Sequence, residues 1–190
     1  ALREALTVRA SGQRVVLEKN PKYWKGPVKI DRVVFRPIVE DQARLTELLT
    51  GQLDLIVGVP ADFVGQLESN AKVSVLKQTG VHVWYLGINN QKKPFDDRRV
   101  RQALNYAVDK DAIVRDVLKG TGTPSKGPVM PNTWGAEPGL KAYPYDPARA
   151  KKLLAEAGYP NGFTTTLWVP ESGSGMQAPV AMSTVIQSNL

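Results

Sequence analysis

The sequence has no cysteine and a single histidine. Without thiols there is no disulfide scaffold, no zinc–thiolate or iron–sulfur site and no cysteine nucleophile. His82 alone cannot build a multi-histidine metal site. No apolar run reaches the ~18 residues that a membrane-spanning helix needs. Neither G-x-x-x-x-G-K-[ST] nor G-x-G-x-x-G occurs, and no G-x-S-x-G elbow supplies a serine nucleophile. Gly120-Thr121-Gly122-Thr123 follows a helical pattern instead of opening one, so it does not cradle a phosphate.

Acidic residues are outnumbered, 18 Asp plus Glu against 25 Lys plus Arg, for a net charge of +7. That balance permits nucleic acid, anionic surfaces or acidic ligands without requiring any of them. The basic residues are scattered. Their densest clusters, Arg98-Arg99 with Arg101 and Arg149 with Lys151-Lys152, fall in patterns that read as amphipathic helices with a solvated face.

What is present is ordinary for a globular chain: 190 residues, 42% hydrophobic and 23% charged. The length suits one domain or two small ones, and the composition excludes disorder, collagen and coiled coil. Residues 7–9 and 15–17 read as a hairpin around Ser11-Gly12-Gln13, and 30–38 as a further strand. Residues 41–50 read as a helix with Ala43, Leu45, Leu48 and Leu49 on one face and Gly51 at its end. A short buried strand is expected at 53–57, and a helix opened by Pro60 with Phe63, Val64 and Leu67 inward. Strands are expected at 73–76 and 81–88.

The second half changes texture. Asp97 caps a helix carrying Val100, Leu104, Ala107 and Val108. Asp109 caps another with Ile113, Val114, Val117 and Leu118, stopped by Gly120. Residues 120–145 are rich in Pro and Gly and show no helical period. Asp146-Pro147 restarts a helix with Leu153, Leu154 and Ala157 inward and Gly158 as its stop. Residues 163–169 read as a strand. An apolar stripe of Val180, Met182, Val185, Ile186 and Leu190 reads as a helix without a terminating cap, the pattern of a chain that continues.

No nucleophile–base–orienter set can be assembled, so no catalytic residues are assigned. His82 lies in a strand pattern and reads as a sheet-face residue. The acidic pairs Asp96-Asp97 and Asp109 with Asp111 fall where helix caps belong, and capping accounts for them better than acid–base work. Trp84 and Tyr85 are adjacent on a strand pattern and so point to opposite faces, one toward core and one toward solvent or ligand. Trp24, Trp134 and Trp168 are scattered among loops and strand.

Three stretches together resemble one family. The first is Val15-Val16-Leu17-Glu18-Lys19-Asn20-Pro21-Lys22-Tyr23-Trp24. The second joins Tyr85-Leu86-Gly87-Ile88-Asn89-Asn90 to Pro94-Phe95-Asp96-Asp97-Arg98-Arg99-Val100-Arg101-Gln102-Ala103-Leu104 and Ala107-Val108-Asp109-Lys110. The third is Tyr143-Pro144-Tyr145-Asp146-Pro147 with Ala150-Lys151-Lys152-Leu153-Leu154-Ala155-Glu156-Ala157-Gly158-Tyr159. In this order they resemble the extracytoplasmic solute-binding proteins, family 5, of peptide and nickel ABC transporters. That family usually shows a Gly-Thr-Gly-Pro-Tyr-like segment before the first stretch, and residues 1–6 do not match it.

The resemblance implies an α/β fold, part of a two-lobe, type II periplasmic-binding-protein-like architecture with a mixed sheet and flanking helices. Residues 1–84 would be the middle part of lobe one, 85–90 a hinge-proximal strand end and 91–190 the first part of lobe two. It implies a non-enzymatic receptor that captures oligopeptides or dipeptides outside the cytoplasmic membrane, periplasmic or at the cell surface. Nickel chelates and oligosaccharides are alternative cargo on the same scaffold. The permease subunits of the transporter would be its partners, with membrane contact only through them or a lipid anchor. No cofactor, metal site or nucleic acid is implied. Beside the hinge, Trp84 and Tyr85 are the leading cleft candidates, followed by Asn89 and Asn90, whose amides can bind peptide backbone or satisfy a turn. A nucleic-acid or anionic-surface binding domain, motivated by the +7 balance, is the reading of another class.

Overall fold

The structure is a computed structural model that describes residues 6–11, 14–171 and 176–190. The chain divides into two compact units between Val57 and Gly58.

The first unit is built on a three-stranded antiparallel meander: β1 (Leu6–Ser11), β2 (Arg14–Lys19) and β3 (Arg32–Phe35), in the order β1-β2-β3. Register runs from Leu6 opposite Lys19 to Ser11 opposite Arg14, and from Val15 opposite Phe35 to Glu18 opposite Arg32. The hairpin expected from the sequence is therefore present, although Gly12-Gln13 at its tip lie outside the described residues. β2 is central. Its neighbours Val16 and Leu17 point to opposite faces, and both are buried. Leu17 packs with Tyr23, Val28 and Val33.

Helix α1 (Asp41–Leu49) follows, with Leu45 almost fully buried. It is tied to its approach by the Arg44 guanidinium, whose Nη1 donates to the carbonyls of Ile38 (2.8 Å) and Val39 (3.0 Å). Arg36 meets Glu47 across β3 and α1 at 2.8 Å. Gly51 at φ +77 takes the left-handed position that ends the helix, which a side chain would strain.

The second unit is mostly helical: α2 (Ala61–Glu68), α3 (Arg98–Ala107), α4 (Lys110–Ala112) running into a π-helical turn (Ile113–Val117), α5 (Pro147–Glu156) and α6 (Pro179–Asn189). All three caps read from the sequence are made. Asp97 accepts from the N–H of Arg99, Asp109 from that of Ala112 and Asp146 from that of Arg149. Helices α3 and α5 lie antiparallel. Arg99 at the start of α3 donates to the Glu156 carbonyl at the end of α5 (2.6 Å), and the Asp146 N–H donates to the Tyr106 carbonyl near the end of α3 (2.8 Å). Ala103, Ala150 and Leu153 form the seam, and small residues there let the two backbones approach. A second cluster joins Val108, Ile113, Met182 and Ile186, bringing α6 onto the π turn. The Asn189 side chain accepts from the Asp109 N–H at 3.0 Å across this contact.

Several expectations fail. Segments 53–57, 73–76, 81–88 and 163–169 form no strand ladder among the described residues. Leu55 is 71% exposed and Leu76 is 90% exposed, so the first two are not buried either. β-Branched composition makes a segment compatible with a sheet, but a strand exists only where a neighbour completes its hydrogen bonds. The second helix of the Asp109 pair widens, with Leu118 N–H donating to the Ile113 carbonyl five residues back. Ala43 of α1 is exposed, as are Val180 and Leu190 of α6. The inward face of α6 is Pro179, Met182, Ser183 and Ile186, a period of three to four that includes one serine the apolar stripe passed over.

Candidate functional site

The candidate residues lie on one extended stretch that runs into a stitched turn. Along 84–88 exposure alternates: Trp84, Leu86 and Ile88 are half-buried, whereas Tyr85 and Gly87 are exposed. The period-2 pattern thus survives without a ladder, because packing on one side is enough to impose it. Trp84 and Leu86 pack against the cluster of Val108, Ile113, Met182 and Ile186. Tyr85 faces outward and is 76% exposed. A Cβ on Gly87 would come to 4.0 Å from the Tyr85 ring, so the ring lies along the backbone of the residue two further on.

After Ile88 the chain is locked by short-range hydrogen bonds. The Asn89 side chain accepts from the Gln91 N–H (3.0 Å), an Asx turn. Lys92 N–H donates to the Asn89 carbonyl, and the N–H groups of Phe95 and Asp96 both donate to the Lys92 carbonyl. Arg101 reaches back from α3 and donates to the carbonyls of Phe95 (2.8 Å) and Asp96 (3.0 Å). Phe95 packs edge-on against Phe163, which does the same with Tyr159. Asn89 spends its carbonyl oxygen on the turn, and Asn90 is exposed beside it.

The turn ends at a charged cap. Arg99 donates from its backbone N–H to Asp97 at 2.7 Å, and its guanidinium grips both carboxylate oxygens, the closest contact being 2.6 Å. These hydrogen bonds, with the side-chain pair foremost, hold the Asp97 carboxyl below the ordinary carboxylate range and raise the Arg99 guanidinium. Asp116 and Arg115 shift in the same two directions through their own pair.

Two open hollows occur in this unit. One of about 330 Å³ is lined by Lys93, Asp96, Asp97, Ala157 and Tyr159. The other, of about 310 Å³, lies along α2 and reaches Glu68, Lys77 and Lys119. None of Trp84, Tyr85, Asn89 and Asn90 lines either one. His82 is exposed, and among the described residues no group of three or more His, Asp or Glu side chains could hold a metal ion. The arrangement presents an aromatic face and side-chain amides next to a firmly held turn. That chemistry recognises a ligand by stacking and amide hydrogen bonds.

Sequence reasoning missed the two arginines that organise this region. Asp97-x-Arg99 is a readable signal for a cap reinforced by its own guanidinium. The reach of Arg99 to Glu156 and of Arg101 to Phe95 is a tertiary fact with no local signature.

The model of the bacterial extracellular solute-binding proteins, family 5 Middle, matches residues 6–190. The chain belongs to this family. Heme-binding protein A of Haemophilus influenzae is 43% identical over 157 residues, covering 83% of this chain and 29% of that protein. Glutathione-binding protein GsiB of Pectobacterium atrosepticum is 42% identical over 164 residues, 86% of this chain and 32% of that protein. Among solved structures, the ABC transporter-associated periplasmic binding protein DppA from Helicobacter pylori, in complex with the peptide STSA, is similar with a TM-score of 0.82 and 32% identity. That similarity covers 97% of this chain and 36% of that one. The family 5 chain thus spans about a third of the length of these relatives, and its helices and small sheet are part of an α/β, type II periplasmic-binding-protein fold.

Proposed function

We propose that this family 5 chain belongs to the substrate-binding component of an ABC importer that captures dipeptides or oligopeptides outside the cytoplasmic membrane. The observation that carries the reading is the family match over 6–190, joined to a peptide-bound relative of the same fold. A relative named for glutathione, itself a tripeptide, supports the same ligand class. A relative named for heme makes that the second cargo to test. The role is binding, without catalysis; permease subunits are the partners, and the compartment is the periplasm or cell surface. Residues 1–84 belong to lobe one, 85–90 to the hinge and 91–190 to lobe two in this reading.

Tyr85 is the ligand-facing member of the candidate set, through its exposed ring. Asn90 offers a free side-chain amide, and Asn89 holds the turn that presents it. Trp84 supports Tyr85 from the core side. Calorimetric titration of the full-length protein with di- and tripeptides, heme, a nickel chelate and an oligosaccharide tests this. Saturable binding of peptides is expected. Binding of the sugar or the chelate with no peptide binding would reassign the cargo, and no binding of any of them would remove the receptor reading.

A further inference from the structure

The two densest basic clusters of the sequence, far apart along the chain, come together on one helix pair. Helices α3 and α5 are held antiparallel at both ends, by Arg99 on the Glu156 carbonyl and by the Asp146 N–H on the Tyr106 carbonyl. Their seam is filled by Ala103, Ala150 and Leu153, so the charged side chains are turned away from it. Arg98, Arg149, Lys151 and Lys152 are all exposed. None of the four takes an ion pair among the described residues. Elsewhere cations are neutralised: Lys19 by Asp31, Arg36 by Glu47, Lys77 by Glu68 and Arg115 by Asp116. On the pair itself, the Asp97 carboxylate is already consumed by Arg99.

A ten-residue helix is about 15 Å long, roughly two Debye lengths at physiological salt, so the fields of the four cations overlap. None of them lines a hollow, which suits an extended anionic surface better than a single small anion. Tyr145, just ahead of the α5 cap, is 47% exposed and offers the amphipathic ring that favours a water–lipid boundary.

We propose that the outer face of the α3–α5 pair is a membrane-docking surface that adsorbs to anionic phospholipid headgroups. An extracellular family meets the outer face of a membrane rather than nucleic acid. Adsorption there would hold a receptor close to the plane in which a permease lies. The contact is electrostatic, so it strengthens with each free Lys or Arg near the surface and weakens with salt.

The test is co-sedimentation of the 190-residue chain with phosphatidylcholine vesicles and with vesicles containing one quarter phosphatidylglycerol, at low and at physiological salt. Binding is expected only to the anionic vesicles and is expected to fall as salt rises. The double variant Arg149→Glu with Lys152→Glu should lose about tenfold or more of that binding. Glu at position 149 completes a capping box with Asp146, so α5 is preserved, and circular dichroism checks this. The double change to Gln should lose an intermediate amount. Lys29→Glu with Lys72→Glu, the same charge change on other exposed lysines, should lose less than about threefold if distance from the membrane screens them. Equal binding to neutral vesicles would overturn the proposal, as would equal loss in both double variants. Binding to soluble polyglutamate as strong as to the anionic vesicles would also overturn it, in favour of an acidic protein partner.

Discussion

At the scale of single residues, neighbours with similar chemistry have opposite fates. Trp84 packs on the Val108–Ile186 cluster and Tyr85 points outward. Trp84→Ala is therefore expected to destabilise the fold by about 1–3 kcal/mol, less than a fully buried aromatic would cost. Tyr85→Ala should stay within about 0.5 kcal/mol while weakening peptide binding by the full-length protein. Denaturant unfolding beside calorimetric titration separates the two effects. If Tyr85→Ala leaves binding intact, Tyr85 loses its assigned role. Ser183 gives an expectation of the opposite sign. It is buried on the inner face of α6, and its hydroxyl oxygen has no hydrogen-bond partner among the described residues. Ser183→Ala removes an unsatisfied polar group and improves helix propensity, so it should stabilise by about 1 kcal/mol in urea unfolding.

At the scale of elements, caps and guanidinium bridges decide where helices start and what they touch. Asp97 serves both purposes, since its carboxylate caps α3 and fixes the Arg99 guanidinium that reaches α5. Its carboxyl is held below the ordinary range in the folded chain. The folded state therefore binds the proton less readily than the unfolded chain, whose aspartate titrates near pH ~4. Stability from this group is fully present above that value and is lost as the pH falls below it through the depressed folded value. Asp97→Asn keeps a capping oxygen but removes the titration. Thermal unfolding followed from pH 2 to 6 should show a shallower acid loss in the variant than in the parent, and parallel curves would sink this expectation. Asp97→Ala should cost about 1–2 kcal/mol through loss of the cap.

At the scale of the molecule, exposed surface is the dominant feature. The chain exposes 14406 Å², whereas a compact folded monomer of 20.8 kDa exposes about 9,000 Å². Much of the excess is apolar, including Leu76, Val57, Val81 and Trp168. Surfaces of that kind seek cover. The isolated 190-residue chain is expected to self-associate, read as a sedimentation coefficient that rises with concentration over the micromolar range. A single monomeric boundary at every concentration would contradict this. The segments responsible are the ones that read as strands in the sequence and lack a ladder here, and unpaired extended backbone is a ready template for association.

The sequence by itself determined what depends on a few neighbouring residues. The Asp97, Asp109 and Asp146 caps, the glycine stops at Gly51 and Gly158, the hairpin of β1 and β2, and the alternation of Trp84 and Tyr85 are all short-range consequences of backbone sterics and side-chain hydrogen bonding. The three motif stretches that mark family 5 are equally local, which is why the family is legible in the residues themselves. Only the tertiary structure decided what depends on partners far along the chain. It showed that Arg99 and Arg101 bind carbonyls rather than solvent, that α3 and α5 lie antiparallel with their free cations outward, and that Ser183 rather than Val180 faces the core. It also showed that segments 53–57, 73–76 and 163–169 have no neighbouring strand. The physical reason is the same in each case: a cap or a turn is satisfied within a few residues, whereas a ladder, a helix seam or a buried face exists only when a distant segment supplies its other half.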